Sequence, residues 1–234
     1  MYKIYLGLTT TNGSDWRGKT EEVNEFGLEE IALFPTVLEE KERQELYKLI
    51  EKSCLKSIPF VHLRHDMTEA EMDYLVEKWH TKVFNTHPRP DSIQFLLDNP
   101  KFIDMIAIEN VCHIEKYFLK ALSLAPRICL DLAHYQDKHV IQKRPEYKVV
   151  EKALRHYLVT CNHISAVKSE PFWEENTSKE GGDWLYECHM ATSLSDFDYV
   201  KNYKSYLSNY CAIEISNTLK EQIKIKEHIE RILA

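Results

Sequence analysis

Short apolar runs alternate with amphipathic helical stretches along this chain of 234 residues. Eight of the runs are bounded by proline, lysine or polar breaks, which is typical of strands that are buried on both faces of a sheet. They cover residues 3–10, 30–34, 58–63, 82–85, 104–109, 128–131, 163–168 and 210–215. Alternating strands and helices predict a parallel sheet with helices outside it. Eight such units in a chain near the typical ~250 residues predict an α/β fold, a compact (β/α)8 or TIM barrel with eight parallel strands, as one domain over residues 1–234.

An open, doubly wound sheet would give the same alternation of strands and helices. It would not usually need eight units, and the first strand is not followed by the G-x-G-x-x-G turn that is typical of dinucleotide-binding sheets. The barrel is therefore the favoured architecture.

The segments between the strands carry signals for helix starts. Capping boxes of Thr36 with Glu39, Thr68 with Glu71, and Thr218 with Glu221 predict where three helices begin. Further helices are expected over 113–124 and 145–158. A long loop that contains Gly181 and Gly182 is expected between strands seven and eight.

The charge balance limits the partners that this chain can bind. It has 30 basic and 37 acidic residues, which gives a formal net charge of −7. Binding to a long phosphate backbone needs a basic face, so nucleic acid is not expected as a partner. A small polar or anionic substrate held by a few local cations is compatible with this charge. A homodimer is left open as an assembly.

The sequence also bears on the compartment. The first residues lack the basic-then-apolar order of a signal peptide, and no apolar run is long enough to cross a membrane. The six cysteines are scattered without a Cys-x-x-Cys pair, which is typical of reduced thiols. The expected location is cytoplasmic, with no membrane partner.

Acidic residues end several predicted strands, where packing gives no reason for a charge. Glu109 ends strand five, Asp131 ends strand six, and Glu214 lies near the end of strand eight. In a parallel barrel all strand ends converge on one mouth, where such proteins place their chemistry. Other polar side chains reach the same mouth, namely those of His62, His65, His87, His134, Lys168, Glu187 and His189. Carboxylates in a poorly solvated mouth repel one another unless they share protons or a cation, so a divalent metal (Mn, Mg or Zn) is the simplest expectation.

Four motifs occur at the strand ends in a matching order. They are His87-Pro88, Ile108-Glu109-Asn110, Asp131-Leu132-Ala133-His134 and Ile213-Glu214. In these motifs the chain resembles the xylose-isomerase-like TIM-barrel superfamily, which contains sugar isomerases and epimerases and the endonuclease IV type of DNA-repair enzyme. Glu187-Cys188-His189 has the acid-x-His form of the endonuclease branch, and His62 corresponds to its strand-three histidine. The resemblance covers essentially the whole chain.

Strand seven departs from that resemblance, which implies a metal-binding histidine near the end of this strand. The sequence there reads Ser165-Ala166-Val167-Lys168 without one, and His163 is expected to lie too deep, at the start of the strand. Either His189 replaces the missing ligand and a metal is kept, or the ammonium group of Lys168 neutralises the carboxylates and no metal binds.

The favoured hypothesis is a divalent-metal-dependent isomerase or epimerase that acts on a sugar or sugar phosphate by proton transfer through an enediolate. Glu109 and Glu214 are its expected catalytic pair. The expected metal ligands are Glu109, Asp131, Glu214 and His189. The expected substrate-binding residues are His62, Arg64, His87, His134, Lys168, Trp184 and Glu187.

Two alternatives stay open. An endonuclease IV-like phosphodiester hydrolase would use two or three metals, and His62, His87 and His189 favour it. A degenerate, non-catalytic barrel would explain an incomplete ligand set.

Overall fold

The computed structural model of the chain describes residues 2–11, 13–111, 114–175 and 182–234. Within them a parallel sheet closes into a barrel, as the sequence predicts. Its strands are β1 (Ile4–Tyr5), β2 (Gly7–Thr9), β3 (Glu30–Phe34), β4 (Ser57–His62), β5 (Val83–Thr86), β6 (Ile106–Glu109), β7 (Arg127–Asp131), β8 (Leu158–Ile164) and β11 (Cys211–Ile213). Since β1 and β2 are two segments of one strand interrupted at Leu6, the sheet has eight strand positions. β1 pairs with β11 and β2 pairs with β3, so this strand joins the two edges of the sheet.

Helices connect the strands along the outside of the barrel. They are α1 (Trp16–Glu25), α2 (Glu40–Ile50), α3 (Glu69–Trp79), α4 (Pro90–Asp98), α5 (Leu119–Leu124), α6 (Leu132–His134), α7 (Lys148–Ala153) and α8 (Leu219–Leu233). Tighter 3₁₀ turns occupy Pro100–Met105, Pro145–Tyr147 and Leu194–Tyr206, and wider π turns occupy Ile114–Phe118 and Tyr135–Ile141. In the part of the chain that the structure describes, no helix combines the length and apolarity needed to cross a lipid bilayer.

The helix starts agree only in part with the capping boxes. Thr218 forms the predicted box with Glu221. Thr68 caps α3 at the backbone of Glu71, but the side chain of Glu71 pairs with buried Arg43 instead of completing a box. The prediction at Thr36 was wrong, because Glu39 itself is the cap of α2. The predicted helix over 145–158 ends early, at Ala153, since β8 begins at Leu158.

The side chains that point into the barrel form two layers. The lower layer is apolar and consists of Tyr5, Ala32, Phe34, Phe60, Val83, Ala107, Cys129, Cys161 and Ala212. Side chains alternate between the two faces of a strand, so the residue two positions further on also points inward. On six strands that residue is polar. It is an amide in the pair Val83/Asn85, and it is ionisable in the pairs Phe60/His62, Ala107/Glu109, Cys129/Asp131, Cys161/His163 and Ala212/Glu214. The barrel therefore places one polar layer directly above an apolar floor.

A close backbone contact seals the barrel where β2 meets β11. Gly7 is required there, because a Cβ atom would overlap the carbonyl oxygen of Ile213. The side chain of Gln222 on α8 satisfies the backbone of Gly7. Its Oε1 accepts from Gly7 N at 2.8 Å, and its Nε2 donates to Gly7 O at 3.0 Å.

The seventh barrel strand lies earlier in the chain than the sequence analysis placed it. The strand is β8, which ends at Ile164, whereas 163–168 was predicted. The next segment forms an antiparallel ribbon in place of the predicted long loop, with β9 (Ala166–Glu175) paired to β10 (Gly182–Cys188). Gly181 lies outside the described residues.

Candidate functional site

Apart from Asn85, the polar layer is a compact and almost fully buried set of ionisable groups. His163 on β8 is 0% exposed, Asp131 on β7 1%, Glu109 on β6 2% and Glu214, just after β11, 6%. Strand pairing fixes their proximity, because His163 is the register partner of both Asp131 and Ala212 in the adjacent strands. Ionisable side chains are rarely buried to this degree unless they are paired or bind a metal.

His163 is the centre of this set. Its Nδ1 lies 2.9 Å from Glu214 Oε2, 3.5 Å from Glu109 Oε2 and 3.8 Å from Asp131 Oδ2. The rings of Phe34 and Phe60 lie beside the imidazole, with centroid distances of 5.1 and 5.4 Å. The expectation that His163 lies too deep was therefore wrong. It sits near the carboxyl end of β8, where the resemblance implies a ligand.

Several polar atoms in the set lack hydrogen bonds. Neither ring nitrogen of His163 has a hydrogen-bond partner among the described residues, and neither does Asp131 Oδ2. The 2.9 Å approach of His163 to Glu214 lacks hydrogen-bond geometry. Buried polar atoms are nearly always satisfied, so these atoms call for an additional partner. A cation bound between His163 and Asp131 would satisfy the unpartnered atoms of both side chains.

The donor atoms fall into overlapping groups that suit metal ions. Within each group the donor atoms lie within 4.8 Å of one another. Three groups use only histidines and carboxylates: His62/His87/Glu109, Glu109/Asp131/His134 and Asp131/His163/Glu214. A fourth combines Glu109, Cys129 and His163. Nitrogen and carboxylate donors together suit Zn²⁺ and other divalent transition ions. The residues therefore fit a metal centre.

The first flank of the cluster contains two histidines. His62 Nε2 lies 3.1 Å from His87 Nε2. Glu109 Oε2 lies 3.3 Å from His62 Nε2 and 3.6 Å from His87 Nε2. His62 Nδ1 lies 2.9 Å from the carbonyl oxygen of Leu63, which can only accept. In the neutral ring the proton is therefore on Nδ1, and the lone pair of Nε2 points toward Glu109. Asn85 Nδ2 donates to Glu109 Oε2 at 2.7 Å and fixes this carboxylate.

The second flank is built by α6 and the ribbon. His134 Nδ1 lies 3.2 Å from Glu187 Oε1, and His134 Nε2 lies 3.9 Å from Asp131 Oδ2. Asp131 Oδ1 caps α6 by accepting from His134 N at 2.8 Å, which leaves Oδ2 facing the cluster. His189 Nε2 lies 4.0 Å from Glu214 Oε1 at the rim. Both side chains of the acid-x-His motif, Glu187 and His189, therefore lie at the mouth.

The close packing of these groups shifts their pKa values in opposite directions. Burial, together with the charges of Glu109 and Glu214, raises the pKa of Asp131 to about 6. Burial also raises the pKa of Glu187, but His134 outweighs it and lowers the value to about 2. Burial lowers the pKa of His163, yet Glu109 and Glu214 overcome it and hold the value well above the ordinary one. Divergent values in one cleft are typical of functional sites.

A cavity of about 1030 Å³ opens above the cluster. Of the predicted site residues, those that line it are His87, Glu109, His134, Lys168, Glu187, His189 and Glu214. His62 and Asp131 lie beneath, within the ligand groups. The ammonium group of Lys168 pairs with Asp196 at 2.7 Å. The structure records no ion pair of Lys168 with Glu109, Asp131 or Glu214, so its geometry does not match the internal cation considered above.

Three predicted residues lie elsewhere. His65 is exposed, and its Nδ1 lies 3.4 Å from Asp91 Oδ2. Arg64 pairs with Glu39 and Asp66 beside a neighbouring, smaller pocket. Trp184 is 55% exposed and packs against Trp173 on the ribbon, outside the described lining of the cavity.

His163 was not predicted as a ligand, although the sequence contains a signal for it. Cys161-x-His163 repeats the spacing of Cys129-x-Asp131 and Ala212-x-Glu214, an apolar inward residue followed by a polar one two positions later. Aligning the strands by this spacing, instead of by their apolar length, would have placed His163 in the polar layer.

Fold and site together define a (β/α)8-barrel protein with a buried carboxylate–imidazole cluster at the mouth. No protein-family model matches the chain, and no curated protein matches it. Among solved structures, an uncharacterised protein from Parabacteroides distasonis ATCC 8503 has a TM-score of 0.51 at 14% identity, over 99% of this chain and 98% of its own. A xylose isomerase-like TIM barrel protein from Mycobacterium smegmatis, in complex with magnesium, has a TM-score of 0.48 at 11% identity, over 100% and 98%. At 14% identity, the likeness to the Parabacteroides protein is one of fold alone.

Proposed function

We propose that the barrel mouth binds two or three divalent cations and hydrolyses a phosphoester. The observation that carries this proposal is the sharing of Glu109 and Asp131 among the three histidine–carboxylate groups. Carboxylates that belong to two groups at once can bridge neighbouring ions. Multinuclear centres of this kind serve in-line displacement at phosphorus in phosphatases and nucleases.

Each group would hold one ion. His62, His87 and Glu109 form one site, and Asp131, His163 and Glu214 form the central site. His134 completes a third site with Glu109 and Asp131, close to the acid-x-His pair of the ribbon. The unpartnered atoms of His163 and Asp131 support the central site.

When bound, such ions supply Lewis acidity and neutralise negative charge on the attacking and leaving oxygens. The chain's own residues prepare the mouth for this role. Asn85 and the cap of α6 hold the carboxylates of Glu109 and Asp131 in fixed orientations, which lowers the reorganisation needed during reaction. Phe34 and Phe60 close the floor beneath His163 and exclude water from below.

The isomerase or epimerase hypothesis remains the second candidate. In its favour, Glu109 and Glu214 both approach the same nitrogen of His163, at 3.5 and 2.9 Å. A single ion at the central site, with these two glutamates as acid and base, would suit proton transfer next to a carbonyl. This mechanism uses His62 and His87 to hold substrate, although together with Glu109 they form a ligand group of their own, and we therefore rank it second.

Metal stoichiometry of the purified protein tests the proposal. We expect more than one divalent ion per chain by elemental analysis, and hydrolysis of bis(p-nitrophenyl) phosphate that chelation abolishes. His87→Ala should lower the metal content while leaving the central site filled. The matched control is His65→Ala, since His65 is half-exposed and pairs with Asp91 outside the ligand groups.

The opposite results separate the alternatives. One ion per chain that His87→Ala does not affect would favour the isomerase or epimerase. A chain that binds no ion, with unchanged stability in chelator, would favour the non-catalytic barrel.

A further inference from the structure

The ribbon formed by β9 and β10 has two different faces. Phe172 lines the cavity, and its register partner Leu185 is buried beside it. Trp173 and Trp184 are also register partners, 50% and 55% exposed. Because neighbouring side chains on a strand point to opposite faces, the tryptophan pair lies on the face away from Phe172. The ribbon thus presents one aromatic ring, backed by a buried leucine, to the cavity.

An apolar wall stands beside the ligand cluster. Val111, Pro171, Phe172 and Met190 all line the same cavity as Glu109, Glu187 and Glu214. Holding metal ions does not require this wall. The donor atoms of the ligand groups come from the polar layer, from Cys129 in the floor, from His87 after β5 and from His134 on α6. Binding sites for organic ligands typically combine such apolar surfaces with a few polar anchors. The wall is therefore suited to the part of a substrate that is not phosphate.

The charges of the lining argue against a polynucleotide. Among the described lining residues Lys168 is the one lysine or arginine, and it already pairs with Asp196 and Thr192. Glu170 and Glu174 on the same ribbon also line the cavity. Proteins that follow a nucleic-acid backbone contact successive phosphates with several cations. Acids at this wall would repel those phosphates.

Resting on the proposed function, we infer that the substrate is a small phosphoester with a planar aromatic or heteroaromatic group, and that Phe172 binds this group. The phosphoryl end lies at the ligand cluster and the ring lies against the wall of Val111, Pro171, Phe172 and Met190. Phe172 is a specificity-determining residue in this arrangement, because it selects the substituent and takes no part in the displacement.

The test compares the binding of phenylphosphonate and methylphosphonate to the metal-loaded protein by calorimetry. The two probes share the phosphonate and differ in the ring. We expect phenylphosphonate to bind about 10-fold more tightly, in line with the strength of an aromatic pair. Phe172→Ala should abolish this preference and Phe172→Tyr should keep it. Trp173→Ala, one residue along on the other face, is the matched control and should leave it unchanged.

A second measurement addresses the size of the substrate. A short single-stranded oligonucleotide should bind more weakly than phenylphosphonate. The double variant Glu170→Gln/Glu174→Gln removes two negative charges from the wall, so it should bring the affinities for the two ligands closer together. Tighter binding of the oligonucleotide, or equal affinities for the two phosphonates in the metal-loaded protein, would overturn the inference while leaving the metal centre intact. If the purified protein bound neither metal nor phosphonate, the proposed function would fail and the inference with it.

Discussion

His163 Nδ1 lies 2.9 Å from Glu214 Oε2 at the mouth of the barrel, and neither ring nitrogen of His163 has a hydrogen bond within the described residues. The two side chains come from neighbouring strands, β8 and the end of β11, which pair through His163 and Ala212. A buried imidazole between carboxylates, with its nitrogens unsatisfied, is an arrangement that a bound cation would complete.

Replacing His163 should empty the central site. We expect His163→Leu to lower the metal content by about one ion per chain, because Asp131 and Glu214 alone supply too few donors for tight binding. Elemental analysis after dialysis measures this, and far-UV circular dichroism checks that the barrel is still folded. Cys161→Ser, two positions earlier on the same strand, is the control, since Cys161 is in none of the ligand groups. An unchanged metal content in the folded His163→Leu protein would contradict the assignment.

Removing metal should destabilise the fold. Without ions, Glu109, Asp131 and Glu214 are left close together in a poorly solvated mouth. An ion present at a hundred times its Kd stabilises the folded state by about 2.7 kcal/mol. We therefore expect chelation to lower Tm, and readdition of Zn²⁺ or Mn²⁺ to restore it. A thermal scan that is the same with and without chelator would show that the mouth holds no ion.

Gln222 should contribute strongly to stability although it belongs to none of the ligand groups. Gln222→Leu leaves both the N–H and the carbonyl of Gly7 without their buried side-chain partner. Unsatisfied buried groups cost about 1–3 kcal/mol each, so the midpoint of urea unfolding should fall clearly. Gln44→Leu on the exposed side of α2 is the matched substitution and should change stability little. Equal midpoints for the two variants would exclude this role for Gln222.

Buried Lys19 predicts a specific dependence of stability on pH. Lys19 is 2% exposed and donates to Thr9 Oγ1 and the carbonyl of Ile215 at 2.7 and 3.0 Å, and burial lowers its pKa from 10.5 to about 8. Between these values the unfolded chain binds the proton and the folded chain does not. The free energy of unfolding therefore rises with pH across this window, by about 3 kcal/mol in total.

Comparison with Lys19→Met isolates that contribution. The difference in unfolding free energy between the natural chain and Lys19→Met should change in favour of the natural chain as the pH rises from 8 to 10.5. Urea unfolding at a series of pH values measures it. Parallel curves for the two proteins would mean that Lys19 keeps its ordinary pKa in the fold.

The sequence by itself determined the barrel and much of its mouth. Alternation of apolar runs and helical stretches sufficed for the number of strands and for the positions of seven of them. Glu109, Asp131 and Glu214 stood out as acids at strand ends. These conclusions rest on local patterns of period two and 3.6, which a chain displays before it folds. Only the tertiary structure decided the bounds of β8, and with them the position of His163. Those bounds depend on the register with β7 and β11, which come from distant parts of the chain.

The same limit applies to the ribbon and to Lys168. Nothing local distinguishes Ala166–Glu175 as a strand outside the barrel, because its pairing with Gly182–Cys188 depends on contacts between two separate segments. The sequence predicts Lys168 at the same barrel mouth as the acids. In the structure its ammonium group pairs with Asp196. The sequence pattern determines which residues can face the mouth. The register between strands and the choice of ion-pair partners determine which atoms come into contact there.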